Sequence, residues 1–125
     1  MMLFDTYVAP SKIEGLGLFA NVDIPADTRI WRLDPGFDLT LTDEKLETLP
    51  EWHKQYFLRY CYKHRGLYFF CIDNARFMNH SETPNTKEKR DGTYSINAIL
   101  KGEEIVCNYA NMGEFVEDLN HNMHI

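Results

Sequence analysis

The residues best suited to chemistry crowd into one stretch, Ala75 to Asn85, where Asn79, His80, Ser81 and Asn85 fall within seven positions. Pro84 stiffens its exit by fixing φ and removing a donor. The stretch follows the aromatic-rich run Leu67 to Ile72. Polar side chains delivered behind an apolar strand must each find a partner when buried. A polar ligand is one source of partners, and a plain surface turn is the other reading. Two further clusters flank this one. Glu14-Gly15-Leu16-Gly17-Leu18-Phe19-Ala20 opens the chain's first apolar segment, and Gly102-Glu103-Glu104-Ile105-Val106-Cys107-Asn108-Tyr109 closes its last. The Gly-x-Gly is not a dinucleotide fingerprint, because no third Gly and no helix follow it. Glu103 and Glu104 resemble an acid–base pair, but neighbours in an extended chain point to opposite sides. A turn-stabilising or solvated role is expected for them, with Glu104 a candidate for a buried, paired position. Asp118, His121 and His124 imitate a metal cluster, yet they sit in a tail expected to fray.

The elements that must position these residues are short. Tyr7-Val8-Ala9 reads as a strand stopped by Pro10, and Leu18-Phe19-Ala20 as the next. Thr28 to Leu33 and Phe37 to Leu41 alternate polar and apolar residues around the turn Asp34-Pro35-Gly36. Thr42 suits a helix N-cap before the acidic turn Asp43-Glu44, and Pro50 suits the first position of a second helix. Trp52, Tyr56 and Tyr60 fall at i, i+4 and i+8, a stripe whose first two members are expected to face the core. Leu67 to Asp73 is a strand. Asp91-Gly92 between Thr86–Arg90 and Thr93–Ala98 signals a hairpin. Ile99 to Ile105 turns into a last strand and echoes Asp23 to Ile30. Phe115, Val116 and Leu119 give the tail a short helical pattern. Many short strands, many turns and one helical insert predict a mainly β fold in a single domain over 1–125.

Bulk properties exclude several classes. The chain has 125 residues, 44% of them hydrophobic and 26% charged, as in ordinary soluble domains. A net charge of −6 gives no electrostatic case for direct nucleic-acid binding and suits a basic partner. Cys61, Cys71 and Cys107 are odd in number and form no C-x-x-C pair, which predicts a reducing, intracellular setting. That means the cytoplasm in a bacterium, or the nucleus as a further option in a eukaryote. No apolar stretch reaches membrane-spanning length, and no secretory signal opens the chain.

Taken in order, the Gly15–Gly17 segment, the Arg76-Phe77-Met78-Asn79-His80-Ser81 to Pro84-Asn85 loop and the closing Tyr109 resemble the SET-domain family of protein lysine methyltransferases. The resemblance runs from Gly15 to Tyr109 and leaves 111–125 as a short tail. It implies a SET-type β-clip fold of small curved sheets, in which a knot-like C-terminal motif brings the Asn-His loop against the final Tyr. It implies S-adenosyl-L-methionine as cofactor, held by Gly15, Leu16, Gly17, Asn79, His80 and Tyr109, with Phe115 over the adenine. Tyr109 is the implied catalytic tyrosine. Tyr60 and Tyr62 are channel candidates that share a face if their stretch is extended. Arg76 and Phe77 are expected to be structural. Glu82 stands where many relatives carry a zinc-ligating Cys, so no metal is expected. Leu16 replaces a frequent aromatic, and Asn108 a frequent acid.

Methyl transfer to a lysine is an in-line displacement that needs a neutral amine, and free lysine titrates near ~10.4. A tight apolar channel beside a sulfonium favours the neutral form, so no strong base is required. Alignment and exclusion of water supply the acceleration. The expected partner is a lysine-bearing protein or peptide, and a homodimer is also admitted. Two other functions stay open: a SET-fold module that binds peptide or cofactor without turnover, and a structural β protein that oligomerises through its aromatic surface.

Overall fold

The alternation of single apolar and polar residues sets short strands, and turns interrupt each before it can lengthen. The computed structural model describes residues 1–64 and 66–109, with residues 62–64 described by backbone alone. In chain order it contains β1 (Thr6–Pro10), β2 (Leu16–Ala20), β3 (Arg29–Trp31), β4 (Leu39–Leu41), α1 (Asp43–Glu47) and α2 (Glu51–Tyr60). There follow β5 (Cys61–His64), β6 (Leu67–Phe70), one 3-10 turn over Asn74–Phe77, β7 (Asn79–His80), β8 (Thr86–Lys89), β9 (Gly92–Ser95) and β10 (Val106–Cys107). The strands form four small sheets: β1-β2, β3-β9-β8, β4-β6-β5 and the parallel pair β10-β7. The fold is mainly β with one helical insert, as expected from the sequence.

Two cores hold these layers together. The first gathers Leu18, Ala20, Ile24, Ile30, Ile99 and Ile105. Ile24 and Ile99 exchange backbone hydrogen bonds of 2.7 and 2.9 Å. The two echoing sequence segments therefore pair with one another at their turns. The second core, Leu46, Cys61, Tyr68 and Phe70, receives Phe57, Leu58 and Tyr60 from α2. Burial pushes the Cys61 and Cys71 thiols up to about 12, so both stay protonated and unreactive.

Local signals are mostly obeyed. Thr42 caps α1 by accepting the Lys45 N–H at 3.0 Å. Pro50 is the cap of α2 and Glu51 its first residue, one position later than expected. The Asp91-Gly92 hairpin forms, but Gly92 does more than turn the chain. A Cβ there would lie 2.1 Å from the Trp31 carbonyl oxygen, so the glycine lets β3 approach.

Two expectations fail. Trp52 is 69% exposed and Tyr56 43%, so neither faces the core. Spacing of i, i+4 defines a face without saying which way it turns. The second core takes Phe57, Leu58 and Tyr60 from this helix, and leaves Trp52 and Tyr56 exposed. The last strand does not occupy 99–105 either. That segment makes only isolated bridges, Ile24↔Ile99 and Phe19↔Glu104, and regular pairing begins at Val106. Among the described residues no helix is long and apolar enough to cross a membrane.

The hairpin β8–β9 buries a carboxyl group. Glu88 accepts the Thr93 hydroxyl at 2.8 and 2.9 Å, and desolvation raises its pKa from 4.5 to about 7. The folded state therefore holds this proton more tightly than the unfolded chain does. The stabilisation is complete below about 4.5 and lost as pH rises through about 7. Its size is on the order of 3 kcal/mol. Urea unfolding at pH 5 and pH 8 should show that fall, and Glu88→Gln should flatten it. An unchanged pH slope in the variant would rule out the assignment.

Candidate active site

The site is assembled around the carboxylate of Glu104. Ser11 Oγ donates to its two oxygens at 2.8 and 2.9 Å, and Asn79 Nδ2 donates to Oε2 at 3.1 Å. Asn79 Nδ2 also reaches the carbonyls of Glu14 at 3.1 Å and Leu16 at 3.2 Å. One amide thus ties the Gly-x-Gly loop to the closing motif. Resemblance implied Asn79 as a direct cofactor ligand, whereas here its amide nitrogen fixes the loop that a ligand would meet. Gly17 makes the arrangement fit, because a Cβ there would lie 2.5 Å from Glu104 Oε2. Glu104 is paired as expected, though only half-buried. Glu103 accepts the Leu100 N–H at 2.6 Å and so stabilises its turn.

The Asn-His segment and the closing strand lie side by side. β7 and β10 run parallel, Val106 beside Asn79 and Cys107 beside His80. Asn85 holds the strand with both ends of its side chain: Nδ2 donates to the Glu104 carbonyl at 2.8 Å and Oδ1 accepts the Val106 N–H at 2.9 Å. Thr86 Oγ1 donates to the Val106 carbonyl at 2.8 Å, and the Ser81 N–H to that of Cys107 at 2.8 Å. Tyr109 arrives at the end of this track. Its N–H donates to His80 Nδ1 at 3.1 Å, and its hydroxyl donates to the Met78 carbonyl at 2.8 Å. The two rings lie 5.0 Å apart. Burial raises the Tyr109 pKa, with Cys107 and Glu14 adding to it, so the hydroxyl keeps its proton. Burial likewise keeps the neighbouring Cys107 a neutral thiol.

Beside this assembly opens a cleft of about 380 Å³. Glu14, Gly15, Leu16 and Asn79 line one part of it, and Arg59, Tyr60, Arg76 and Phe77 the rest. Arg76 stacks its guanidinium 4.9 Å from the Phe77 ring and 5.6 Å from Phe70, and Nη1 donates to the Ile72 carbonyl at 3.3 Å. Its buried Nε has no partner among the described residues. Arg59 lies 5.8 Å over Tyr60. Two cations, one carboxylate, aromatic walls and backbone carbonyls suit a zwitterionic ligand with an aromatic portion. The donor set therefore fits the amino-acid end of S-adenosyl-L-methionine.

Of the residues expected at the site, Gly15, Leu16 and Asn79 line the cleft, and Gly17, His80 and Tyr109 sit in the polar assembly against it. Tyr60 lines the cleft as the last residue of α2. The stretch is helical up to Tyr60 and extended only from Cys61, so the extended run assumed for the Tyr60–Tyr62 pair does not include Tyr60. The Tyr62 side chain and Phe115 lie outside the described residues, as does the trio Asp118, His121 and His124. Among the described residues no three His, Cys, Asp or Glu side chains are placed to share a metal ion. Sequence reasoning missed Arg59 and the Met78 carbonyl, and it assigned Arg76 and Phe77 to structure alone. The position of Arg59, next to Tyr60 at the end of an amphipathic helix, was the available signal.

Comparison with known proteins places the fold. The SET domain family model matches residues 15–110. The histone-lysine N-methyltransferase trr of Drosophila melanogaster is 31% identical over 84% of this chain, which spans 5% of that protein's length. A Plasmodium falciparum candidate histone methyltransferase of known structure superposes with a TM-score of 0.60 at 20% identity, covering 86% of this chain and 95% of its own. A chain of the Chaetomium thermophilum Polycomb Repressive Complex 2 superposes with a TM-score of 0.66 at 20% identity, over 94% of this chain and 17% of that one. These superpositions show a shared fold.

The two glycines of the loop should respond differently to substitution. Gly15 has φ +48° and open space around it, so Gly15→Ala should cost about 1 kcal/mol of backbone strain. Gly17→Ala drives a methyl into a carboxylate pinned by Ser11 and Asn79, and displacing it should cost about 2–3 kcal/mol. Thermal melts of both variants measure this. Equal losses would contradict the close approach at Gly17.

Proposed function

This chain belongs to the SET-domain family, and from that premise we propose that it is a protein-lysine methyltransferase using S-adenosyl-L-methionine. The observation that carries the proposal is the meeting of the Tyr109 hydroxyl and the Met78 carbonyl, 2.8 Å apart, next to the charged cleft that Asn79 lines. The cofactor supplies an electrophilic methyl group on a sulfonium. Arg76, whose Nε has no partner among the described residues, and Arg59 would hold the carboxylate, and Glu14 the ammonium. The Gly15–Leu16 backbone and the His80 main chain would flank it. Tyr60 and Phe77 offer apolar walls.

The roles of the chain's own groups follow from their protonation and placement. Tyr109 keeps its proton, so it acts as an oriented dipole rather than a base. Its oxygen would position the substrate amine, and the Met78 carbonyl beside it would offer an acceptor for weak C–H contacts. Burial of the Tyr109 environment excludes water and favours a neutral lysine. Glu104 is already committed to Ser11 and Asn79 and takes no part as a general base. The substrate class is a basic, lysine-bearing protein, which matches the net charge of −6 and the histone-modifying activity named for the Drosophila relative. Three buried thiols suit a reducing, intracellular setting.

Tyr109→Phe should lower kcat by two to three orders of magnitude, about 3–4 kcal/mol, with cofactor Kd nearly unchanged. Arg76→Ala should weaken cofactor binding about tenfold, the loss of one charge-assisted contact. Asn79→Ala should weaken it too, through the loosened loop. Labelled-methyl incorporation into core histones and calorimetry after metal chelation measure these effects. A parent that binds cofactor but never methylates a protein would favour the binding module instead. A parent that shows no heat at high cofactor concentration would overturn the methyltransferase reading and leave a module that binds only peptide.

A further inference from the structure

We propose that Glu82 is a positioning residue for Tyr109, acting through a hydrogen-bond relay across the two nitrogens of His80. Neutral imidazole has one N–H and one lone pair. The Tyr109 N–H points at Nδ1 from 3.1 Å, which requires the lone pair there and puts the proton on Nε2. On the far side of the ring, Glu82 Oε1 stands 3.0 Å from Nε2, ready to accept that proton's hydrogen bond. Both contacts specify one tautomer. The opposite tautomer would set an N–H against the Tyr109 N–H and a lone pair against a carboxylate.

Local geometry brings Glu82 back over His80. Ser81 Oγ accepts the Thr83 N–H at 3.1 Å, and the Ser81 N–H bonds the Cys107 carbonyl at 2.8 Å. The chain therefore turns at Ser81 while its backbone stays fastened to β10. His80 in turn fastens Tyr109, and its ring lies 5.0 Å from the tyrosine ring. Tyr109 is thus held at both ends, by Met78 at the hydroxyl and by His80 at the backbone. Glu82 itself has a side chain 86% exposed and touches neither the cleft lining nor Tyr109. Its influence must pass through the imidazole. The residue that breaks the family's zinc-ligand pattern thereby gains a role of its own.

The proposal rests on the methyltransferase reading only where turnover is measured. Three proteins are compared: parent, Glu82→Gln and Glu82→Lys. Gln keeps an acceptor for Nε2–H, whereas Lys puts a donor there and favours the proton on Nδ1. Nitrogen-15 NMR reads the tautomer of His80 directly, and the scalar coupling across the N–H···N bond reads its contact with Tyr109. The expected result is an Nε2–H tautomer and a measurable coupling in the parent and in Gln, with both lost in Lys. Turnover should stay within about twofold in Gln and fall about five- to tenfold in Lys, the range of one lost hydrogen bond. Cofactor Kd should be the same in all three. Retained coupling in Lys, parental turnover in Lys despite lost coupling, or an equal fall in Gln would each overturn the proposal. A parent without turnover would sink the functional reading, while the tautomer and coupling comparison would still decide the relay.

Discussion

A carboxylate partly withdrawn from water needs hydrogen bonds to replace the hydration it loses, and the placement of Glu104 imposes that condition on the whole molecule. Its oxygens receive Ser11 from the N-terminal loop and Asn79 from the central segment. Three remote pieces of chain are thereby forced to one point. The condition also dictates residue types: a hydroxyl at Ser11, an amide at Asn79, and no side chain at Gly17. Asn79 then passes the order onward, because the same amide nitrogen reaches the carbonyls of Glu14 and Leu16. The cleft wall is shaped by how this charge is solvated.

Around that point the architecture divides the labour. The first core, built on Leu18, Ile24, Ile99 and Ile105, fixes the ribbon and the segment leading to Glu104. The second, built on Leu46, Cys61, Tyr68 and Phe70, anchors the helical insert. The cleft lies where the two meet: one supplies the glycine loop and Asn79, the other Arg59 and Tyr60. Arg76 spans the boundary by laying its guanidinium over Phe70 and Phe77. A chain this short has little interior to spare, and it uses the seam between its cores as the working surface.

Much of this was legible in the residues, because the decisive signals were local. Thr42 before two acids forms a cap, Asp91-Gly92 forms a hairpin, and burial alternates along β3 and β8. The pairing of Glu104 was also foreseeable, since neighbours in an extended chain point to opposite sides and an apolar run, Ile105-Val106-Cys107, follows it. Local signals could not say which side of α2 turns inward, and Trp52 and Tyr56 went the other way. Nor could they show that Arg76 borders a cleft, because its environment comes from Phe70 and the glycine loop. The extent of the last strand was misplaced for the same reason: its partner is β7, and nothing near Val106 in sequence announces Asn79.

The separation between Ser11 and Glu104, 93 positions, also governs when the site comes into being during biosynthesis. Hairpins such as β1–β2 and β8–β9 close short loops and form early, whereas contacts between remote segments wait on the entropy of closing long ones. On a ribosome the stretch up to Asn85 can emerge and pair locally while Tyr109 is still inside the exit tunnel. Until that last stretch is free, the Asn79 amide has no carboxylate to bind and the parallel pair cannot form. The wall of the cleft that Asn79 orders therefore takes its shape only after Glu104 has joined Ser11 and Asn79.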